Sequence, residues 1–311
     1  MTGPTVDVVT VAFESRATLS RCLSSVAGLP ELGQVVVIDH GDDGSGELAA
    51  EFGATVVLDP SNPGFGAGQN RGVGLARAPY VLLVNPDAEV VHEGIMRGIE
   101  ILTRHDDVAV VQGQIVNRVD GRTERSQGVE LGVAHLLGRA LGARRLLAIR
   151  PIAALASSLP RFSDHVARVP NDFVAVETLA ATAWLIRRAA FDQVGGFSAS
   201  YFLYGEDLDL CRRLRAAGWR LIATPDLWAR HDGGGSSAGW WQREIEWWRG
   251  TMHFAATWWP AGRFLTALLV AVVRWVTIAV LHPPAAGPAW SGVVAHAART
   301  RWSGAGRSLI R

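Results

Sequence analysis

Residues 81–89 read VLLVNPDAE. Four aliphatic residues run into Asn85-Pro86-Asp87, so a buried strand ends on a proline that cannot donate to a sheet ladder and on a carboxylate at its carboxyl end. In an open α/β sheet, ligands collect outside the carboxyl ends of the strands. Asp87 therefore stands where a ligand would be held, although a strand-end aspartate taken alone serves a turn equally well. The flanking segments decide the fold. Apolar, β-branched runs at 6–13 (VDVVTVAF), 34–40 (QVVVIDH), 54–59 (ATVVLD) and 108–116 (VAVVQGQIV) alternate with helical patterns at 17–29, 44–53, 66–78 and 92–105. Buried strands alternating with helices predict an α/β domain whose mostly parallel central sheet carries helices on both faces.

Beyond this region the pattern is less regular. Residues 117–178 read as an irregular, partly helical insertion, 177–191 as a strand leading into a helix, 205–219 (GEDLDLCRRLRAAGW) as an amphipathic helix closed by Gly218, and 220–231 as a strand followed by a turn. The C-terminal part changes character. Tryptophan pairs stand at 240–241, 247–248 and 258–259, and 264–281 (FLTALLVAVVRWVTIAVL) is apolar apart from Arg274 and two threonines. After residue 250 there is no Asp or Glu, yet there are arginines at 263, 274, 299, 301, 307 and 311. A spanning helix needs about 20 apolar residues and rarely carries a central arginine. The Trp-rich, basic region is expected to lie on a membrane surface, with a buried helix pair or a true span as the alternatives. Aliphatic runs break up the basic residues, which argues against a nucleic-acid stripe.

Composition narrows the class. Of 311 residues, 49% are hydrophobic and 19% charged, with a net charge of +1, which suits a folded protein with a sizeable core. The two cysteines, Cys22 and Cys211, lie far apart in helical stretches and predict neither a disulfide framework nor a zinc site. No basic start followed by an apolar run marks the N-terminus, so the cytoplasm is the expected compartment.

Further segments carry chemistry. In VVVIDHGDDGS (35–45), Asp39 ends a strand where a carboxylate can accept hydrogen bonds from a base or ribose; a plain Asp-Gly turn is the alternative. NPGFGAGQNRGVG (62–74) opens a helix with glycines spaced GxGxG after the third strand, which does not match a dinucleotide fingerprint. Glu206 and Asp207 begin the 205–219 helix behind the aromatic run Tyr201-Phe202-Leu203-Tyr204, an apolar wall expected to limit water and raise a carboxyl pKa. Their simpler reading is favourable placement on the helix dipole, and Asp209 and Arg213 pair at i,i+4. His231 follows a strand and precedes the glycines of HDGGGS; imidazole suits a transition metal.

These segments occur in one order, IDHGDDGS, NPGFGAGQNRG, NPD, GGFSASYFLYGEDLDLCRRLRAAG and HDGGGS. The order resembles family 2 glycosyltransferases of the GT-A fold, most closely a bacterial rhamnosyltransferase-like branch, over roughly residues 5–237. His40 and Asp42 stand where that pattern usually has Asn and Ser, and Ala181 stands where it often has Gly. The resemblance implies a transferase domain over 1–237, divided into a nucleotide-sugar half (1–116) and an acceptor half (117–237), followed by a helical, membrane-associating region over 238–311. It implies that Glu14 and Asp39 face the nucleoside and that Asn62, Gly64 and Asn70 shape the nucleotide-sugar loop. Asp87, beside Asn85, would hold Mg²⁺ or Mn²⁺ with His231 as a further ligand, and Asp207 would act as general base with Glu206 orienting the acceptor. The expected reaction is inverting transfer of a sugar, L-rhamnose from dTDP-rhamnose in this branch, to a polyprenyl-linked saccharide in cell-wall or polysaccharide synthesis. The enzyme would sit peripherally at the inner face of the cell membrane. A soluble acceptor such as a secondary metabolite and a non-catalytic nucleotide-sugar-binding subunit are the alternatives.

Overall fold

The computed structural model describes residues 5–124, 126–140, 173–233, 240–281, 293 and 297–301. The chain divides into two compact units. The first comprises Met1–Val129, Phe162–Phe202 and Asp207–Ser237; the second comprises Glu130–Arg161, Leu203–Glu206 and Ala238–Arg311. The second unit thus draws on the middle of the chain as well as its end.

In the first unit, strands β1 (Val6–Ala12), β2 (Leu32–Asp39), β3 (Thr55–Leu58) and β4 (Tyr80–Val84) alternate with helices α1 (Arg16–Ala27), α2 (Ser45–Glu51) and α3 (Phe65–Val73). After β4 come β5 (Ala88–Val90), α4 (His92–Arg104), β6 (Val108–Asn117) and β7 (Gln127–Gly128). Helix α5 (Val133–Ala140) belongs to the second unit. The first unit resumes with β8 (Val174–Val176), β9 (Thr178–Leu179), β10 (Ala183–Arg187), helix α6 (Arg188–Gln193), helix α7 (Glu206–Ala216), which begins at the unit boundary, and β11 (Arg220–His231).

Among the described residues nine strands form one sheet in the order β3-β2-β1-β4-β10-β6-β11-β5, with β8 also on β11, and β7 pairs separately with β9. The β3-β2-β1-β4 half is parallel, as the alternation predicts. Strand β10 then runs antiparallel between β4 and β6. Strand β4 shows why both faces must be covered. Val81 and Leu83 pack with Val9, Val11, Trp184 and Leu214 on one face, while Leu82 and Val84 pack with Val8, Cys22, Ile95 and Leu102 on the other. Successive side chains point to opposite faces, so a strand buried on both sides reads as unbroken aliphatic sequence.

Three segments depart from the sequence reading. Residues 88–90, assigned to no element from the sequence, form β5 on β11. The strand read over 220–231 with a turn is one strand of 12 residues whose pairing with β6 shifts between Ala223 and Leu227, around Pro225, so it continues to His231. Helix α3 ends at Val73, short of residue 78. Most of the irregular insertion lies outside the described residues.

The second unit holds α5, α8 (Trp240–Trp258) and α9 (Ala261–Leu281). Trp248 is 4% exposed and Trp259 2% exposed, so these tryptophans anchor a core with Met252, Phe254 and Phe264 and do not form an interfacial belt. Three of the arginines expected to meet an anionic surface are engaged within the unit, while Arg299 is exposed. Arg274 Nε approaches Glu244 Oε1 at 3.4 Å, Arg263 donates to the Leu131 carbonyl at 3.0 Å and lies over the Trp259 ring, and Arg301 donates to the Trp259 carbonyl at 2.9 Å. Arg307 and Arg311 lie outside the described residues. No helix among the described residues is long and apolar enough to cross a membrane.

A buried charge pair ties α7 to the loop before it. Asp209, 1% exposed, accepts from Arg213 Nε at 2.8 Å, and the same guanidinium donates to the carbonyls of Val194 and Gly196 at 2.7 Å each. Removing one partner leaves a buried charge uncompensated, at a cost of about 3–5 kcal/mol. Arg213→Met is expected to lower stability by that amount in urea unfolding, and adding Asp209→Asn to recover part of the loss; additive losses would rule out the coupling.

Candidate active site

The site is built where the carboxyl ends of β4 and β11 meet β5. Pro86 turns the chain after β4, the Ala88 amide donates to the Asn85 carbonyl at 3.0 Å, and β5 then pairs antiparallel with β11, placing His231 opposite Ala88. One further bond, from the Asp232 amide to the Asp87 carbonyl at 3.2 Å, extends the ladder. This register sets His231 Nε2 at 3.1 Å from Asp87 Oδ1. Two residues 144 positions apart in sequence become side-chain neighbours through three strand residues.

Two partners of this pair were not anticipated. His231 Nδ1 lies 3.0 Å from Glu124 Oε2. Asp232 accepts from Arg21 Nη2 at 2.5 Å and also pairs with Arg118. Glu124 arrives through a tight turn in which the Asn117 amide donates to the Arg122 carbonyl at 2.8 Å and the Glu124 amide to the Ile115 carbonyl at 2.8 Å. Its signal was present in the sequence, since Asp120-Gly121, with Gly121 at φ +67, is a hairpin turn dipeptide. Burial by itself would lower the His231 pKa, but hydrogen bonds and charge from Asp87 and Glu124 raise it to about 10.

Beside this cluster, the Asn85 amide nitrogen of the backbone donates to the Thr182 carbonyl at 2.9 Å, and its side-chain Oδ1 is buried without a hydrogen-bond partner among the described residues. Cys22 Sγ donates to the Asn85 carbonyl at 3.4 Å, and burial, with Asp87 nearby, pushes this thiol up to about 12. Cys22 is thus an inert core residue. Both cysteines are free and buried.

At the ends of β1 and β2, Glu14 and Asp39 flank Gly41: a Cβ there would lie 3.3 Å from Glu14 Oε1 and 3.6 Å from Asp39 Oδ1. Glu14 is exposed with φ 49, whereas Asp39 is 3% exposed and accepts from the Gly41 amide at 3.0 Å. Burial raises the Asp39 pKa, partly offset by the amides of Gly41 and Gly46. His40, in the variant turn, is held in place by Nδ1 at 2.7 Å from the Asp59 carbonyl.

Asn62 has a left-handed φ of 42, and Gly64 has φ 104 with its α-hydrogen side pressed on the Phe202 carbonyl, so a side chain there would collide with backbone. The first amide of α3, from Phe65, donates to the same Phe202 carbonyl at 2.9 Å and is not free for a phosphate. The Asn70 side chain closes a two-bond clasp on Phe197, donating to its carbonyl and accepting its amide at 2.8 Å each. Loop 62–64 and the segment 196–202 are thereby pinned together.

Glu206 and Asp207 open α7. Glu206 is 4% exposed; Asp207 is half-buried and its Oδ1 accepts from the Leu208 amide at 2.8 Å. The aromatic wall expected before them is divided, because Tyr201 is buried in the core while Phe202 is 46% exposed. The segment Leu203–Glu206 belongs to the second unit, where the Tyr204 carbonyl abuts Gly250 of α8 so closely that no side chain fits.

Among the described residues no group of three or more His, Cys, Asp or Glu side chains is arranged to hold a metal ion. The chemistry of the donors still fits a divalent cation that takes its remaining ligands from a diphosphate. Asp87 and His231 offer one oxygen and one nitrogen converging at 3.1 Å, and the other ring nitrogen of His231 faces a carboxylate, the usual support for a ligating imidazole.

The stabilisation from a raised histidine pKa is complete below the ordinary value of 6.5 and is lost as pH rises through about 10. The metal-free protein is expected to lose stability across that window. Glu124→Gln should move the His231 titration, followed by imidazole NMR, down toward the ordinary value; an unchanged midpoint would exclude Glu124 as a cause.

Comparison with known proteins identifies the family and the fold. Residues 7–195 match the model of glycosyl transferase family 2, and residues 161–304 that of glycosyl transferase family 21. The chain is 28% identical over 243 residues to the N-acetylglucosaminyl-diphospho-decaprenol L-rhamnosyltransferase of Mycobacterium tuberculosis, covering 72% of this chain and 75% of that one. It is 38% identical over 68 residues to the rhamnosyltransferase WbbL of Escherichia coli, covering 21% and 26%. Among solved structures, the mannosyltransferase PcManGT from Pyrobaculum calidifontis in complex with GDP-Man and Mn²⁺ superposes with a TM-score of 0.57 at 16% identity, covering 97% and 88%. GalNAc-T7 with UDP, GalNAc and Mn²⁺ gives 0.58 at 14% identity, covering 83% of this chain and about half (48%) of that one. These likenesses extend to the fold. The family match spans more than half of the sequence and contains the β1–β4 sheet, the Asp87 turn and Glu124, and it establishes that the chain belongs to glycosyl transferase family 2.

Proposed function

We propose that this glycosyltransferase moves a sugar from a nucleotide-diphosphate donor to a hydroxyl of a lipid-linked saccharide, with inversion at the anomeric carbon, and that the sugar is L-rhamnose carried by dTDP. The carrying observation is the convergence of Asp87 and His231 at 3.1 Å at the strand ends, an oxygen and a nitrogen donor where a diphosphate would be received. The Mycobacterium tuberculosis relative, whose name specifies a decaprenol-linked substrate and L-rhamnose, supports the choice of sugar and acceptor. The Mn²⁺ in the complexes of the similar structures supports a divalent cation, Mg²⁺ or Mn²⁺, as cofactor.

In this reading Asp87 and His231 hold the cation. Bound there, it supplies Lewis-acid compensation for the negative charge that grows on the departing diphosphate. Glu14 and Asp39, beside one another at the ends of β1 and β2, receive the nucleoside. Asn62 and Gly64 shape the loop over the donor, and Asn70 fixes that loop against Phe197. Asp207 removes the proton from the acceptor hydroxyl as its oxygen attacks the anomeric carbon, and Glu206 orients the acceptor. One displacement requires one base, and general-base catalysis of this kind contributes roughly 10²–10⁴-fold.

Asp207→Asn is therefore expected to reduce transfer by about 10²–10⁴-fold while donor affinity is kept; retention of full activity would remove Asp207 from the mechanism. Asp87→Ala should abolish the Mn²⁺ dependence of donor binding in calorimetry, and an unchanged difference with and without Mn²⁺ would place the cation elsewhere. A panel of nucleotide sugars scored by thermal shift with Mn²⁺ tests the donor; stabilisation by dTDP-rhamnose above the other donors is expected.

A further inference from the structure

Helix α9 has two unlike faces. Phe264, Ala267, Val270 and Ala271 are buried in the second unit. On the opposite side Leu265 (53% exposed), Leu269 (64%), Val273 (51%), Val276 (47%) and Val280 (73%) follow one another at helical spacing. At a rise of 1.5 Å per residue this stripe is about 22 Å long. A water-facing helix ordinarily carries its charged residues on that side.

We infer that this stripe is a membrane-docking face, inserted in the plane of a bilayer that displays anionic phospholipid headgroups. Four observations choose lipid over a protein partner. First, the polar groups beside the stripe are already satisfied. The hydroxyls of Thr266 and Thr277 donate to the carbonyls of Gly262 and Val273 at 3.0 Å each, and Arg274 is turned to Glu244. An apolar solvent demands such internal satisfaction, and a specific protein interface would use those groups across the contact. Second, the stripe contains only leucine and valine, without the aromatic, methionine or arginine anchors that enrich protein interfaces. Third, the sequence after residue 250 holds no acid, and although Arg263, Arg274 and Arg301 are engaged within the second unit, Arg299 is exposed. That imbalance complements anionic headgroups. Fourth, only one face of α9 is exposed, so the helix can lie along a bilayer, and no described helix is suited to cross one.

This deepens the proposed function, since a lipid-linked acceptor would be met at such a surface, but its test needs no acceptor. The full chain is floated with vesicles of phosphatidylcholine and phosphatidylglycerol (70:30) and, separately, of phosphatidylcholine alone. Wild-type protein is expected to partition onto the anionic vesicles and less onto the neutral ones. Leu269→Glu with Val273→Glu should reduce partitioning by about tenfold or more, whereas Leu75→Glu, at an exposed leucine of the first unit, should leave it unchanged. Leu269→Gln with Val273→Gln repeats the measurement at lower cost to folding, and melting temperature and donor-binding checks accompany each variant. Wild-type protein that fails to float, or stripe variants that float as well as wild type, would overturn the inference. So would a wild-type dimer that the same substitutions convert to monomer in light scattering, because a second copy would then be the occupant. Failure here with intact sugar transfer would leave the catalytic reading standing; loss of donor binding with intact flotation would do the reverse.

Discussion

The pairing of Ala88–Val90 with Ala229–His231 is the contact on which the site depends. Three residues of edge strand carry little stability alone, yet their register decides which side chain faces Asp87. A shift by one residue would turn His231 to the other side of the sheet. Pro86 and the shift in β11 around Pro225 serve this register from both ends, the first by turning the chain after β4 and the second by letting a long strand change its alignment with β6 and continue. The carboxylates that raise His231 to about 10 are a consequence of the same pairing, because they converge on one imidazole at 3.1 and 3.0 Å.

Away from this pairing, the structure spends its polar groups on positioning. Asn70 looks like a binding residue in a glycine-rich loop, but both ends of its amide are committed to Phe197. Arg213 joins α7 to the carbonyls of Val194 and Gly196, so the helix that begins with Glu206 and Asp207 is fixed to the loop before it. The second unit treats its arginines the same way. Glu244, 8% exposed, receives Arg139 at 2.6 Å and the Trp248 indole at 3.0 Å, with Arg274 nearby. Charge in the second unit therefore holds helices together, and the surface left on α9 is aliphatic.

Much of the domain was legible because the parallel half obeys local rules. Strands buried on both faces must be continuously apolar, and β1, β2 and β4 are; the helices between them keep helical spacing at Leu19, Cys22, Leu23 and Val26. Asp39, Asp87 and His231 stood out as candidates because a polar residue at the end of an apolar strand is conspicuous. Glu124 was missed because nothing in its neighbourhood is unusual except the Asp120-Gly121 turn, and its role comes from a partner 107 residues away. The burial of Trp248 and Trp259 was not legible for a related reason. Tryptophan suits both a membrane interface and a protein core, and only packing distinguishes Trp248 and Trp259 as core.

By itself, then, the order of residues determined the alternation of strands and helices, the strand ends that carry polar residues, and the motifs that mark family 2, since each depends on short-range periodicity and on which residue types tolerate burial. Tertiary structure alone decided the antiparallel entry of β10, the pairing that joins 87 to 231, the recruitment of Glu124, and the division of α9 into a buried and an exposed face. Those features depend on register and on contacts between distant segments, and neither leaves a trace in local composition.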